Sequence, residues 1–307
     1  MPDDACAGSP DEQPEAGSRP GGLVLVSTPI GNLGDVSTRA REILAGADLI
    51  LCEDTRHSAR LLSALDVRAR TEALHEHNED ARIGPVLAML REGKQVALVS
   101  DAGTPLLSDP GFRLVRAVIA EGLPVSAVPG PNAALTALVL SGLPPVPFLF
   151  LGFPPPRAAA RRAAFGRVRA AEQAGLAATL IWHEAPHRLA ETLADMARAF
   201  GPRPAAVARE LTKRFEEVRR GPLPDLAAHY AAEPVRGEVT VLLGPSPAEA
   251  PDAAGLDAQL RAALASASVK DAAALVAAAT GLPRKIVYAR ALALTRAALR
   301  PDETQPS

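Results

Sequence analysis

From Leu23 to about Leu140 one unit repeats along the chain: a short apolar run, a polar loop, then a segment with helical spacing. The runs Leu23–Val26, Asp48–Cys52, Gln95–Ser100 and Pro124–Val128 read as strands. Helices are predicted from a cap at Ser37 or Thr38, around His57–Leu65, over Glu79–Arg91, near Gly111–Glu121 and from about Ala133 to Leu140. Wholly apolar strands suit burial on both faces, which predicts an α/β domain with a largely parallel sheet. In such sheets ligands bind beyond the carboxyl ends of the strands. The polar loops at those ends are therefore the place to look for a site.

A second α/β pattern starts at Phe148. Strands are predicted at Phe148–Phe153, Ala178–Trp182, Ala205–Arg209, Phe215–Arg220 and Glu238–Leu243, with helices around Ala158–Glu172, His187–Ala199 and Leu223–Ala232. The close spacing of the later strands predicts antiparallel pairing. After a Pro/Ala stretch the pattern is purely helical: Leu256–Ala265, Lys270–Thr280 and Ile286–Leu299, the last two joined by a turn at Gly281-Leu282-Pro283 that fits a helix-turn-helix unit. The expected organisation is a disordered head (1–21), an α/β domain (22–145), a second α/β domain (146–244), a linker (245–255), a helical unit (256–300) and a tail (301–307). The most apolar window, Ala133–Phe153, has the length of a membrane span, but Pro144, Pro145 and Pro147 break it. It reads as a helix, a turn and a buried strand.

Composition narrows the class. Of 307 residues, 48% are hydrophobic and 22% charged, enough apolar material for a sizeable core, but only 3% are aromatic, so that core must be built mainly from Ala, Val, Leu and Ile. The formal net charge of −2 hides an asymmetry. The head and tail are acidic, and the body between them holds 32 basic and 28 acidic residues. That mild surplus permits an RNA partner. Two cysteines, Cys6 and Cys52, cannot staple a chain of this size, and the first twenty residues hold no apolar stretch of a signal peptide. The expectation is a cytoplasmic protein with no membrane segment.

Several motifs are excluded. There is no G-x-G, hence no Rossmann fingerprint, and neither a Walker A sequence nor a G-x-S-x-G elbow. His183-Glu184-Ala185-Pro186-His187 matches H-E-x-x-H, yet a zinc site needs both histidines on one helical face. Pro186 disfavours helix at the preceding residue. The motif reads instead as a strand-end loop with Pro186 near the start of the next helix. His75 and His77 read as loop residues, and no metal ligands are assigned.

Taken together, the strand-end loops resemble one family. Ser27-Thr28-Pro29-Ile30-Gly31-Asn32-Leu33, Cys52-Glu53-Asp54-Thr55-Arg56-His57, His75-Glu76-His77-Asn78, the run Val99–Gly111 with Ser100-Asp101-Ala102-Gly103-Thr104-Pro105, Pro129-Gly130-Pro131-Asn132-Ala133, Ala185-Pro186-His187-Arg188 and Ala208-Arg209-Glu210-Leu211-Thr212-Lys213 look like the bacterial ribosomal RNA small subunit methyltransferase I (RsmI) family. This family belongs to the tetrapyrrole methylase superfamily. The resemblance runs from about Leu23 to Gly244 and continues at Gly281–Lys285. It implies two α/β domains with S-adenosylmethionine in the cleft between them, and a homodimer. The implied reaction is methylation of the ribose 2′-hydroxyl of cytidine 1402 in 16S rRNA of the small subunit. By the same resemblance Pro29, Gly103, Thr104, Pro105, Ser108, Asn132 and Ala133 line the cofactor, with His183 and Leu211 reaching it from the second domain. Two other readings stand beside it: a relative acting on a precorrin or on diphthine, and a non-catalytic RNA-binding protein.

Methyl transfer to a hydroxyl needs an aligned oxygen and a group to take its proton. Alignment supplies about 7–11 kcal/mol, a general base about 10²–10⁴-fold. Candidate bases are Asp101, Asp54 and Glu210, which the sequence does not rank. Candidates for holding substrate are Arg56, His77, Asn78, Arg188, Lys213 and Arg214. Arg157, Arg161, Arg162, Arg167 and Arg169 form an acid-free basic stretch fit for phosphate, or simply a solvated face. Arg284, Lys285, Arg290 and Arg296 add positive charge to the last helix.

Overall fold

The computed structural model describes residues 21–247, 253–280 and 282–298. Residues 1–20 of the expected disordered head, residues 248–252 of the linker, Gly281 and the tail lie outside the described residues. The first sheet consists of β1 (Gly22–Val26), β2 (Leu49–Cys52), β3 (Thr71–Ala73), β4 (Gln95–Val99) and β5 (Val125–Val128). Its order is β3-β2-β4-β1-β5 and every pairing is parallel, in register Val26 to Val99 and Val26 to Val128. Helices α1 (Thr38–Gly46), α2 (Thr55–Ala64), α3 (Glu79–Arg91), α4 (Phe112–Ala120) and α5 (Ala133–Ser141) connect and follow the strands. Two apolar clusters, one around Leu51, Leu98 and Leu114 and one around Val26, Ile50 and Val99, make the core. Fully burying each such side chain stabilises by about 1.5–3 kcal/mol.

The second sheet holds β6 (Phe148–Phe150), β7 (Thr179–Glu184), β8 (Pro204–Arg209), β9 (Glu217–Pro222) and β10 (Val239–Leu243), in the order β6-β7-β10-β8-β9. β6 pairs parallel with β7, and the other three pairings are antiparallel. Helices α6 (Ala158–Gln173), α7 (Leu189–Phe200) and α8 (Leu223–Ala232) belong to this half. The two halves are joined by α5. It leaves the first sheet after β5, and its Ala134, Ala137 and Leu138 pack on Ile181, Ala206 and Leu242 of the second, together with Ile30 from the loop after β1. Helices α9 (Ala253–Leu264), α10 (Val269–Thr280) and α11 (Arg284–Ala298) pack on one another around Leu260, Val276 and Val287.

Four expectations are corrected. α2 starts two residues before His57, because Asp54 caps it by accepting from the Arg56 N–H at 2.8 Å. β7 runs on through His183 and Glu184, since both pair with β10. β9 lies two residues later than expected, in register with β8. β6 is not buried: it is an edge strand, and Phe148 and Leu149 are exposed. Among the described residues no helix is long and apolar enough to cross a membrane.

Candidate functional site

Three loops meet at the carboxyl edge of the first sheet and are tied by hydrogen bonds. The Thr28 N–H donates to the Gly103 carbonyl at 2.8 Å and the Gly103 N–H to the Thr28 carbonyl at 3.1 Å, joining the loops after β1 and β4. Thr104 Oγ1 donates to the Pro131 carbonyl at 3.3 Å and accepts from Asn132 Nδ2 at 3.2 Å, adding the loop after β5. Asn132 also caps α5 through Oδ1, which accepts from the Leu135 N–H. One side chain thus serves as helix cap and loop tie. Gly103 has φ +82°, and a Cβ there would sit 3.3 Å from Ile30 Cγ2. That left-handed position favours glycine.

The loops form one wall of a cleft of about 400 Å³ between the two sheets. Asp101, Gly103, Thr104, Ser108, Asp109, Asn132 and Ala133 face it from the first half, and His183, Leu211, Glu238 and Thr240 from the second. Phe150 and Phe153 add an aromatic wall. Of the five non-glycine residues with left-handed backbone among the described residues, four sit in loops bordering the cleft: Leu106, Ser108, Glu210 and Thr212. Such strain collects where geometry serves a site. A second cavity of about 470 Å³ adjoins the cleft and shares Ile30, Asp101, Ala102 and Glu238 with it. Pro29 lines this second cavity, and Pro105 is buried behind the wall.

The candidate bases separate by environment. Asp101 lines both cavities, and its Oδ1 accepts from the Asp54 N–H at 3.4 Å. Asp54 lies outside both, and its hydrogen bonds from Arg56 hold its carboxyl below the usual carboxylate range. Glu210 is held low by Lys213, whose Nζ donates at 2.8 Å, and also by the Glu238 N–H. Asp109, which sequence reasoning missed, is pushed up to about 6 by burial first and then by the nearby Glu53 and Asp101 carboxylates. His183 meets Phe150 edge to face and Phe153 at a tilt, with ring centroids at 4.9 and 5.6 Å, and its Nδ1 lies 3.1 Å from Thr240 Oγ1. Burial pushes its imidazole down, toward the neutral form.

Most of the proposed substrate-holding groups are already engaged. Lys213 bridges Glu210 and Glu238 at 2.8 and 3.0 Å and lines the second cavity. Arg188 is bound to Glu184, with Nε at 2.8 Å, and Glu184 also accepts from Thr192 and the Ala185 N–H, so this arginine braces the loop. Asn78 closes a turn by accepting from the His75 N–H and donating to the Ala73 carbonyl. His77 is exposed beside His75, Arg214 stacks over Phe215 at 5.6 Å, and Arg56 pairs with Asp54. The basic stretch of α6 is not one free face. Arg161 is buried against Asp195 at 2.7 Å, Arg162 leans on the same carboxylate and Arg169 on Glu172. In α11, Arg290 is taken by Asp257 at 2.6 Å, which leaves Arg284, Lys285 and Arg296 without a carboxylate partner among the described residues. His183 stands in β7, and Pro186 opens a short 3-10 turn holding His187, so H-E-x-x-H does not occupy one helix. No group of three metal-ligating side chains occurs among the described residues.

The missed cleft residues Glu238 and Thr240 sit at the start of a strand, where no loop motif marks them.

Residues 22–227 match the family of Tetrapyrrole (Corrin/Porphyrin) Methylases and residues 249–295 the RsmI C-terminal HTH domain. The chain is 47% identical over 274 residues to "Ribosomal RNA small subunit methyltransferase I" of Mesorhizobium japonicum, covering 89% of this chain and 92% of that one. It is 45% identical over 278 residues to the protein of that name from Pseudomonas aeruginosa, covering 89% and 97%. Among solved structures the fold recurs in diphthine synthase (TM-score 0.55, 14% identity, 72% and 89% covered). It recurs also in the methyltransferase CobJ (0.54, 18%, 74% and 95%). Another is uroporphyrin-III C-methyltransferase of Thermus thermophilus, solved with S-adenosyl homocysteine (0.50, 19%, 73% and 97%). The chain belongs to the tetrapyrrole methylase superfamily and, within it, to the ribosomal RNA small subunit methyltransferase I family.

Proposed function

We propose that this methyltransferase uses S-adenosylmethionine to methylate the ribose 2′-hydroxyl of cytidine 1402 in 16S rRNA of the small ribosomal subunit. The observation that carries the reading is the cleft itself, a strained and hydrogen-bonded pocket built from the family's loops, in a chain that aligns with rRNA methyltransferases over nearly its full length. The residues fit the cofactor. Leu107, Phe150 and Leu211 offer apolar wall to the adenine, and Asp101, Asp109 and Glu238 offer negative charge to a sulfonium and an ammonium. Gly103 keeps the approach open. When bound, the cofactor supplies an electrophilic methyl group. Gly103, Thr104, Ser108, Asn132, Ala133, His183 and Leu211 are the assigned cofactor-lining set, while Pro29 opens onto the second cavity and Pro105 supports the wall from behind.

Asp101 is the assigned base, because it alone of the three candidates borders both cavities. Glu210 and Asp54 are weakened as bases by their cationic partners. Glu210 acts instead by holding Lys213 and the Glu238 backbone in place. The helical unit after the linker adds phosphate contacts through Arg284, Lys285 and Arg296. The division into 22–145, 146–244 and 256–300 is retained, as is a cytoplasmic location. A second copy of the chain would cover the exposed Leu135, Val139, Val146, Phe148 and Leu149, an apolar stretch unusual for a monomer.

The test is methylation of purified small subunits and of free 16S rRNA by the pure enzyme, read by mass spectrometry of the nucleosides. A 2′-O-methylcytidine at that one position is expected. Methylation of another nucleotide, or of a tetrapyrrole instead, would replace this reading.

A further inference from the structure

We infer that the second cavity is the seat of the target ribonucleotide, with Arg60 holding its phosphodiester. The inference rests on the rRNA methyltransferase reading and names a subsite for it. An acceptor oxygen must stand in line behind the transferred methyl, so its pocket must open onto the cofactor cleft. The second cavity does: Asp101 and Glu238 form a partition common to both. Its volume of about 470 Å³ lies within the range of small-ligand sites, about 300–1,000 Å³.

Its lining has the two chemistries a nucleotide needs. Leu33 and Leu61 give an apolar surface for sugar and base, and His57 and Arg60 give donors at the rim. His57, Arg60 and Leu61 lie three and four residues apart on α2 and therefore share one face. Arg60 differs from the neighbouring cations. Arg56, one turn earlier, is neutralised by Asp54, and Lys213 across the cavity by Glu210 and Glu238. Arg60 is exposed and has no hydrogen-bond or ion-pair partner among the described residues. A guanidinium left unpaired beside a cavity suits a phosphate, which it can grip with two parallel hydrogen bonds. Lys213 crosses close over Gly31, where a Cβ would fall 2.3 Å from Lys213 Cγ, and both residues line the cavity.

The experiment compares full-length Arg60→Ala and Arg60→Glu with the wild type on purified small subunits across a salt series. Cofactor affinity is measured in parallel by calorimetry. Arg68→Ala, an exposed arginine between α2 and β3, serves as the control. For Arg60→Ala the expected result is about a tenfold higher KM for the subunit, with kcat and cofactor affinity within twofold. The slope of log(kcat/KM) against log salt should become shallower by about 0.7, the share of one single-strand phosphate. Arg60→Glu should be worse than Arg60→Ala, and Arg60→Lys should recover part of the loss. Kinetics of Arg60→Ala equal to those of Arg68→Ala would overturn the subsite and leave the methyltransferase reading standing. A wild-type enzyme that methylates no RNA would fell that reading instead, and the subsite with it. A loss confined to cofactor affinity would mean that Arg60 serves the cleft and not the nucleotide.

Discussion

In the first sheet all five strands run one way, so β1, β4 and β5 end at the same edge and their loops meet there. In the second sheet β10 runs against β7 and β8. The cleft therefore receives the ends of β7 and β8 but the beginning of β10, where Glu238 and Thr240 lie. The bonding differs as well. The first wall is tied by neutral groups, backbone amides with Ser27, Thr28, Thr104 and Asn132. The second is clamped by charge, through Lys213 with Glu210 and Glu238 and Arg188 with Glu184. A parallel sheet gathers its loops by topology alone. An antiparallel one sends half of them to the opposite edge, and here ion pairs fix those that remain.

The contrast is broken most severely behind the second sheet. Arg161→Ala leaves Asp195 buried and stripped of its closest cation, both groups being only 2% exposed. A loss of about 3–5 kcal/mol is expected in urea unfolding, with cofactor affinity intact in the fraction that stays folded. Unchanged stability would return Arg161 to the solvated basic face.

Next comes the neutral wall. Gly103→Val forces a branched residue into left-handed backbone and against Ile30. Cofactor affinity by calorimetry should fall about 100-fold, the cost of a misplaced site loop, while circular dichroism stays native. Gly237→Ala probes the charged wall in the same assay. Its Cβ would strike the Glu210 carboxylate at 2.3 Å, at φ +87°. A loss of about tenfold is expected, since alanine is unbranched and the carboxylate it meets is the end of a flexible side chain, whereas the Gly103 backbone is itself bonded to Thr28. Equal losses would erase the distinction between the walls.

Protonation gives a further effect of about tenfold. Burial and the neighbouring carboxylates raise Asp109 to about 6, so it is mostly charged at pH 7 and mostly neutral at pH 5. Losing that negative charge should weaken binding of a sulfonium, so cofactor affinity should fall about tenfold between those two pH values. Asp109→Asn should flatten the profile, and a profile as steep as wild type would move the titration to another group. The smallest effect is expected from ending the chain at Gly244. Cofactor binding should persist, while kcat/KM on small subunits drops a few-fold at low salt. The deficit should shrink as salt rises, because the missing contacts are electrostatic. A deficit independent of salt would give the helical unit a structural role.

Much of the first half was legible because its signals are local. An apolar run marks a buried parallel strand, Asn132 and Ser37 mark caps, and Gly103 marks a loop needing left-handed backbone. The candidates that the structure finds engaged, Arg188, Asn78 and Arg161, share one cause. A charged or polar side chain reads the same in sequence whether it faces solvent or a buried partner. The cleft residues missed, Asp109, Glu238 and Thr240, lie respectively inside a loop known for other reasons and at the start of a strand.

By itself, then, the sequence determined the order of elements, the two α/β patterns with their helical appendix and the family, since periodicity, caps and motif order are carried by neighbouring residues. Tertiary structure alone decided which charges are spent and which are free. It pairs Arg56 with Asp54 and Lys213 with two glutamates, and it leaves Arg60 open beside a cavity shared with the cleft. Ion pairing depends on distances of a few ångströms between residues such as Lys213 and Glu238, 25 positions apart in sequence, and only the folded chain sets those distances.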